Sequence, residues 1–160
     1  MSYEIIDNAL SNQDFLNIKN TIYSANFNWH FSDIIAGNND NKHFYFGHCF
    51  YDDFEPKSHL ISILNPILKI LKPKSIMRIK ANLFPNLGKH IKNEWHIDNP
   101  YDHKGALFYI NTNNGFTELE DGSKIESIEN RLLLFDSSKK HRSTHCTDKK
   151  SRVNINFNYF

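Results

Sequence analysis

Cysteine is scarce in this chain: Cys49 and Cys146 are the two among 160 residues, and they form no Cys-x-x-Cys pair. That argues against a disulfide framework and fits a reducing compartment. Long apolar runs are missing as well. None approaches the roughly 20 residues needed to cross a bilayer, and the densest, over residues 60–71, is interrupted by Asn65 and Pro66. The opening MSYEIIDNALSNQ has neither a basic stretch nor a long apolar core, so it does not read as a signal peptide. Nor is there an excess of one charge. With 19 Lys and Arg against 18 Asp and Glu, the net charge is +1, which gives no electrostatic case for broad nucleic-acid binding. The Lys139-Lys140-His141-Arg142 and Lys149-Lys150 clusters read as solvated loop ends. No internal repeat, linker or low-complexity block is visible. At 39% hydrophobic and 23% charged residues, the chain is expected to be one soluble globular domain over residues 1–160.

The pattern along the chain changes near residue 75. Before it, Ser11 or Asn12 can cap a helix reaching about Ser24, with Phe15, Ile18, Ile22 and Tyr23 at helical spacing. Residues 27–36 and 43–51 look extended, with Gly37-Asn38-Asn39-Asp40 as a turn between them. A second helix is expected from about Pro56 to Leu71, with Pro56 in its first turn and Pro66 able to kink it. After Pro73, short alternating segments follow at 75–84, 94–98, 105–111, 115–119, 124–127, 131–136 and 151–159. Residues 1–74 thus read as helical and extended support, and 75–160 as a β core. The expected class is mainly β with helical support, closed as a double-stranded β-helix, or jelly roll. In the last segment Arg152, Asn154, Asn156 and Asn158 share one face, and Val153, Ile155, Phe157 and Tyr159 the other. A polar face headed by an arginine suits an internal strand when that face lines a wet cavity holding an anion.

Chemistry concentrates at His96-Ile97-Asp98, with His141 43 residues after Asp98 and Arg152 a further 11 residues on. On an extended segment residues two apart project to the same side, so His96 and Asp98 can chelate one ion. Two imidazoles and one carboxylate make a facial triad, a set that suits non-haem Fe(II) and leaves coordination positions open. His141 is favoured over His145 as the third ligand. His90 and His103 flank the His-x-Asp segment as candidates to line the cleft. Arg152 offers a planar fork that matches a carboxylate.

The run Trp95-His96-Ile97-Asp98-Asn99-Pro100, then Leu107-Phe108-Tyr109-Ile110-Asn111, Gly115-Phe116-Thr117-Glu118-Leu119, Asn130-Arg131-Leu132-Leu133-Leu134-Phe135-Asp136, His141 and Arg152-Val153-Asn154-Ile155-Asn156-Phe157 resembles the prolyl-hydroxylase-like branch of the Fe(II)/2-oxoglutarate-dependent oxygenases, and most of all its compact phage and bacterial members. The resemblance covers residues 76–160, about half the chain. It implies that His96, Asp98 and His141 are the metal ligands and catalytic centre. It implies that Arg152 pairs with the distal carboxylate of 2-oxoglutarate, that Tyr109 touches the same cosubstrate, and that Asn154 or Asn156 adds a hydrogen bond. Asn82 and Phe84 are the nearest candidates for the family's tyrosine before the His-x-Asp motif. The chain departs from the family where a glycine pair is usual and Gly115-Phe116 stands. The implied activity is hydroxylation of a substrate, peptidyl proline by default or another amino-acid residue, small molecule or nucleotide. It would require Fe(II), 2-oxoglutarate and O2, release succinate and CO2, and have ascorbate in support. The implied location is cytoplasmic, that of the host if the chain is viral.

Two other readings compete. One is a cupin-like protein that binds Zn or Ni and a small ligand without oxygenase activity, and the other a structural β-sandwich in which the His-Asp pair is incidental. An arginine–tyrosine clamp for a dicarboxylate distinguishes the first reading from the cupin.

Overall fold

The computed structural model describes residues 2–33 and 43–160; the turn expected at residues 37–40 lies outside them. The larger sheet contains strands β1 (Glu4–Ile6), β2 (His30–Ser32), β3 (Tyr45–Asp52), β4 (Glu55–Pro56), β5 (Ile76–Pro85), β6 (Lys104–Tyr109), β9 (Arg131–Asp136) and β11 (Ser151–Tyr159). Its order is β1-β9-β6-β11-β5-β3-β2, with β4 paired to β3. The smaller sheet contains β7 (Asn113–Leu119), β8 (Lys124–Ser127) and β10 (His141–Ser143), in the order β10-β7-β8. The strand pairs are antiparallel throughout. Two antiparallel sheets facing one another form the expected jelly roll.

Helix α1 (Asn12–Ile22) begins where Ser11 Oγ accepts the Asp14 amide at 3.2 Å, an N-cap that satisfies one of the free N–H groups of the first turn. Phe15, Ile18 and Ile22 repeat at helical spacing and are buried. The second helix is shorter than its apolar stripe suggests. Residues 53–56 instead close a hairpin, with Asp53 and Phe54 at φ 51° and 61°, the left-handed geometry of a tight two-residue turn. Pro56 sits on the edge strand β4, where its missing N–H costs no ladder bond. A 3-10 turn (Ile61–Leu64) follows, and α2 spans Asn65–Leu71 with Pro66 in its first turn. Pro66 therefore starts this helix rather than kinking it.

The core divides by face. Phe15, Ile18, Ile22, Leu64 and Ile67 pack on the outer side of the larger sheet, against Ile79, Ala81, Phe108, Leu132, Val153, Ile155 and Phe157. The opposite side of the same strands turns inward between the sheets. On β6 and β9 that inner face is apolar, and Leu107, Tyr109, Leu133 and Phe135 cluster with Leu119 and Ile125 of the smaller sheet. On β5 and β11 it is polar. The space between the sheets is thus apolar at one side and lined by polar side chains at the other.

The N-terminal segment is stitched to the sheet by Asn130. Its Oδ1 accepts the Leu10 amide at 3.0 Å, and its Nδ2 donates to the Leu10 carbonyl at 2.9 Å. The residue is buried and held at φ 59°, a conformation asparagine tolerates better than most residues. Asn130→Ala should lose both bonds and strain the backbone, lowering stability by about 2–3 kcal/mol; Asn130→Gly should remove the strain and recover part of that loss. Urea denaturation of the three chains measures both differences.

Candidate metal and dicarboxylate site

The segment carrying the His-x-Asp motif does not form the continuous strand expected over 94–98. Single bridges join it to the residue just after β10 and to that strand itself, Lys92 to Thr144 and His96 to His141. The second bridge builds the site. His96 N donates to His141 O at 3.0 Å and His141 N to His96 O at 2.9 Å, a hydrogen-bonded antiparallel pair. Directly opposed residues project to the same face, and the two imidazole centroids lie 4.4 Å apart. Two residues on, the Asp98 amide turns away to Ser137 O at 3.1 Å, ahead of Asn99-Pro100.

His96, Asp98 and His141 each offer a ligand atom, and the three atoms lie within 4.8 Å of one another. Asp98 Oδ1 is 3.8 Å from both His96 Nε2 and His141 Nε2. The other ring nitrogens face backbone carbonyls: His141 Nδ1 is 3.0 Å from Lys139 O and His96 Nδ1 is 3.3 Å from Glu94 O. A proton on Nδ1 leaves the Nε2 lone pair free, the arrangement of a metal-ligating histidine. Burial pushes the His141 pKa down, favouring the neutral ring a ligand requires. Burial pushes Asp98 up, but the proximity of His141, the hydrogen bond from Asn158, Arg78 and the hydrogen bond from Asn156 together hold it below its ordinary value. Asn158 and Asn156 both donate to Oδ2, at 2.7 and 3.1 Å, leaving Oδ1 turned to the histidines. Donor types, free lone pairs and convergence all fit a divalent transition metal.

Arg152 is 0% exposed. Its Nε donates to Ser127 Oγ at 2.7 Å and its Nη2 to Thr117 Oγ1 at 2.9 Å, while Nη1 is buried with no hydrogen-bond partner. No carboxylate pairs with it among the described residues. Tyr109, also fully buried, donates to the same Thr117 Oγ1 at 2.9 Å. Thr117 accepts twice and keeps its own hydroxyl hydrogen to donate. Gly115 makes this arrangement possible: a Cβ there would stand 2.7 Å from Arg152 Cδ. The Gly115-Phe116 departure thus retains the one glycine the arginine stem needs.

A cavity of about 500 Å³ reaches from the ligand set to Thr117, the residue that Arg152 and Tyr109 share; neither Arg152 nor Tyr109 itself lines it. Asn82, Phe84, Thr117, Asn154, Asn156, His96, Asp98 and His141 line it. Asn82 donates to Asn154 Oδ1 at 3.2 Å. Of the other histidines, His145 is buried away from the ligand set with Nδ1 2.7 Å from Pro85 O. His90 is exposed. His103 is buried against Ser137 Oγ at 2.7 Å, behind Asn158, and does not line the cavity. Arg142, expected in a solvated loop end, is half-buried on β10. It pairs with Glu118 across the strands at 2.7 and 2.8 Å, stacks 4.3 Å from the Trp95 ring and lines the cavity. The roles of Asn158 and Ser127 were invisible in the sequence, and Thr117 was visible only as part of the Gly-Phe-Thr motif.

A scan against protein-family models finds no match, and a search of curated proteins finds no significant one. Solved structures do match. A viral collagen prolyl hydroxylase from Paramecium bursaria Chlorella virus-1, in a 2OG complex, superposes with a TM-score of 0.66 at 12% identity, over 99% of this chain and 96% of that one. An oxidoreductase of the 2OG-Fe(II) oxygenase family from Burkholderia pseudomallei gives 0.71 at 12% identity, over 98% and 84%. A prolyl hydroxylase from Trichoplax adhaerens, in complex with a hypoxia-inducible-factor peptide fragment, gives 0.61 at 19% identity, over 99% and 83%. The fold is that of the 2OG-Fe(II) oxygenases. The likeness extends over nearly the whole chain, including the helical first half that carries no motif.

Alanine at His96, Asp98 or His141 should abolish tight Mn(II) or Fe(II) binding, whereas His145→Ala should retain it; anaerobic calorimetry with Mn(II) distinguishes them, and the reverse result for the two histidines would overturn the ligand set. Gly115→Ala should displace Arg152 while leaving metal binding intact, at a stability cost of about 1–3 kcal/mol that thermal unfolding can measure.

Proposed function

We propose that this chain is an Fe(II)- and 2-oxoglutarate-dependent dioxygenase that hydroxylates its substrate. The observation that carries the reading is Arg152, a buried guanidinium with an unused donor and no carboxylate partner among the described residues, in the same fold interior as a convergent His-Asp-His set. Leaving such a cation unpaired in the dry interior is costly, so an anion is the expected occupant.

His96, Asp98 and His141 would hold the iron. Bound there, iron and 2-oxoglutarate would with O2 supply the oxidation, one oxygen atom going to the substrate carbon and the other to the succinate formed with CO2. The chain's own contribution is placement. Arg152, with Nη1 unpaired, would hold the distal carboxylate, and Thr117, already held by Arg152 and Tyr109, would donate its hydroxyl hydrogen to it. Asn82 and Asn154 line the cavity wall. Asn156 and Asn158 fix the Asp98 carboxylate so that one oxygen serves the metal. The apolar cluster of Leu107, Leu133 and Phe135 keeps the neighbouring interior dry, which strengthens every charge interaction in the cavity. The peptide in the Trichoplax prolyl hydroxylase complex makes an amino-acid residue within a peptide the starting candidate for the substrate.

Calorimetry of 2-oxoglutarate binding to the Mn(II)-loaded chain without oxygen tests the assignment. Arg152→Lys should weaken binding by losing the fork while keeping the charge. Arg152→Ala should weaken it further, by about 2–5 kcal/mol, with Mn(II) affinity unchanged in both. Circular dichroism establishes that each variant is folded. Unaltered 2-oxoglutarate affinity in a folded Arg152→Ala chain would reject the dioxygenase reading in favour of simple metal binding.

A further inference from the structure

The cavity carries more positive charge than this chemistry uses. Arg78, Lys80 and Arg142 line it, and Asp98 is the only carboxylate among the described lining residues. Arg142 is matched by Glu118. Iron and 2-oxoglutarate would carry equal and opposite charges when bound, and Arg78, 3.7 Å from Asp98, shares that one carboxylate with the metal site. Lys80 has no carboxylate among the described residues, so positive charge is in excess around Arg78 and Lys80.

Both are held in place by the fold. They alternate on β5 around the fully buried Ile79, so both face the cavity. Their cross-strand partners are Asn158 and Asn156, the amides that hold Asp98, which puts both cations at the metal end and away from Arg152. Lys80 Nζ donates to Tyr45 Oη at 2.5 Å and lies 4.8 Å from the centroid of that ring. No carboxylate pairs with it among the described residues. Its stem passes over β3 at Gly47, where a Cβ would stand 2.6 Å from Lys80 Cε. Arg78 Nη2 is 3.7 Å from Asp98 Oδ1 and 3.4 Å from Asn158 Oδ1, and its Nε is buried without a partner. A lysine with a flexible four-carbon stem ordinarily extends into water. This one is turned inward onto a phenol, across a gap left by a glycine.

We infer that Arg78 and Lys80, with Tyr45, form an oxyanion subsite for the molecule that is hydroxylated, so that the substrate bears a carboxylate or phosphate group near the reacting carbon; this rests on the dioxygenase reading above. A neutral prolyl segment would leave two cations facing it unmatched as water is displaced, at a desolvation cost. A free amino acid would bring an ammonium for which the described lining residues offer no spare acid. A carboxylate or phosphate matches the fork of Arg78 and the point charge of Lys80.

The test uses the full chain loaded with Mn(II) and saturated with 2-oxoglutarate without oxygen, so that the Arg152 end is filled. The probes are inorganic phosphate, N-acetyl-aspartate and the neutral N-acetyl-asparagine, read by Mn(II)-induced relaxation of the probe nuclei, which reports closeness to the metal. One or both anions should relax and the neutral probe should not; the anion that responds identifies phosphate or carboxylate as the group. Lys80→Gln and Gly47→Ala should each weaken the anion response about tenfold and Lys80→Arg should recover part of it, with 2-oxoglutarate affinity within about threefold of wild type. An equal response to charged and neutral probes, an anion response that survives Lys80→Gln, or a Lys80→Gln chain that loses 2-oxoglutarate as strongly as the anion overturns the inference. A wild-type chain that binds neither Mn(II) nor 2-oxoglutarate removes the dioxygenase reading instead. Line widths of phosphate and of N-acetyl-aspartate with the metal-free wild type and Lys80→Gln then decide the anion subsite by themselves, broadening of either anion in the wild type alone supporting it and equal widths for both anions rejecting it.

Discussion

Strand β11 lies near the middle of the larger sheet, bonded to β6 on one side and β5 on the other, and its two faces meet opposite demands. Val153, Ile155 and Phe157 are buried against the helices. Arg152, Asn154, Asn156 and Asn158 face the inter-sheet space, where Arg152 and Asn158 are fully buried. Because the side-chain period is two, a one-residue slip would drive the arginine and asparagines into the apolar layer and the apolar side chains into the cavity. The same register aligns Arg78, Lys80 and Asn82 of β5 opposite the three asparagines. The placement of Arg152 and of the amides that hold Asp98 follows from that single alternation.

The electrostatics divide along the same strand. At one end Arg152 has hydroxyl partners and no carboxylate among the described residues. Burial pulls its pKa down, opposed by Tyr109, yet arginine starts so far above neutrality that it remains a cation. At the other end His141, Asn158, Arg78 and Asn156 hold the Asp98 pKa below its ordinary value against burial, and burial pushes the His141 pKa down. A cation with a spare donor and a ligand set with free lone pairs therefore stand apart in one interior. A dicarboxylate with a metal-chelating end satisfies both. Hydroxyls around Arg152, in place of an acid, leave the guanidinium charge available to such a molecule.

The candidate ligand residues that the fold brings together could be picked out before the fold was known, because strand alternation and ligand chemistry are local properties. His96 and Asp98 are two residues apart, and the polar face of β11 is written out residue by residue. The misreadings came from context. The apolar stripe over residues 60–71 suggested one long helix, but the left-handed turn at Asp53 and Phe54 diverts the chain into a hairpin first. Arg142 sits in a run of basic residues that looked solvated, and it became a cavity wall because β10 pairs it with Glu118 at a register no local pattern reveals.

The sequence alone determined the chemical inventory and its periodicity: two histidines and an aspartate of ligand type, an arginine on an inward face, and alternating segments that require two-sided burial. Those are properties of residue type and nearest-neighbour spacing. Tertiary structure decided which groups meet. The backbone pair between His96 and His141, the two amides reaching Asp98 from β11, the glycines that clear Arg152 and Lys80, and Thr117 shared by Arg152 and Tyr109 all join residues distant in the chain. Such meetings depend on sheet order and register, which arise from the packing of the whole chain and have no signature in any short stretch of it.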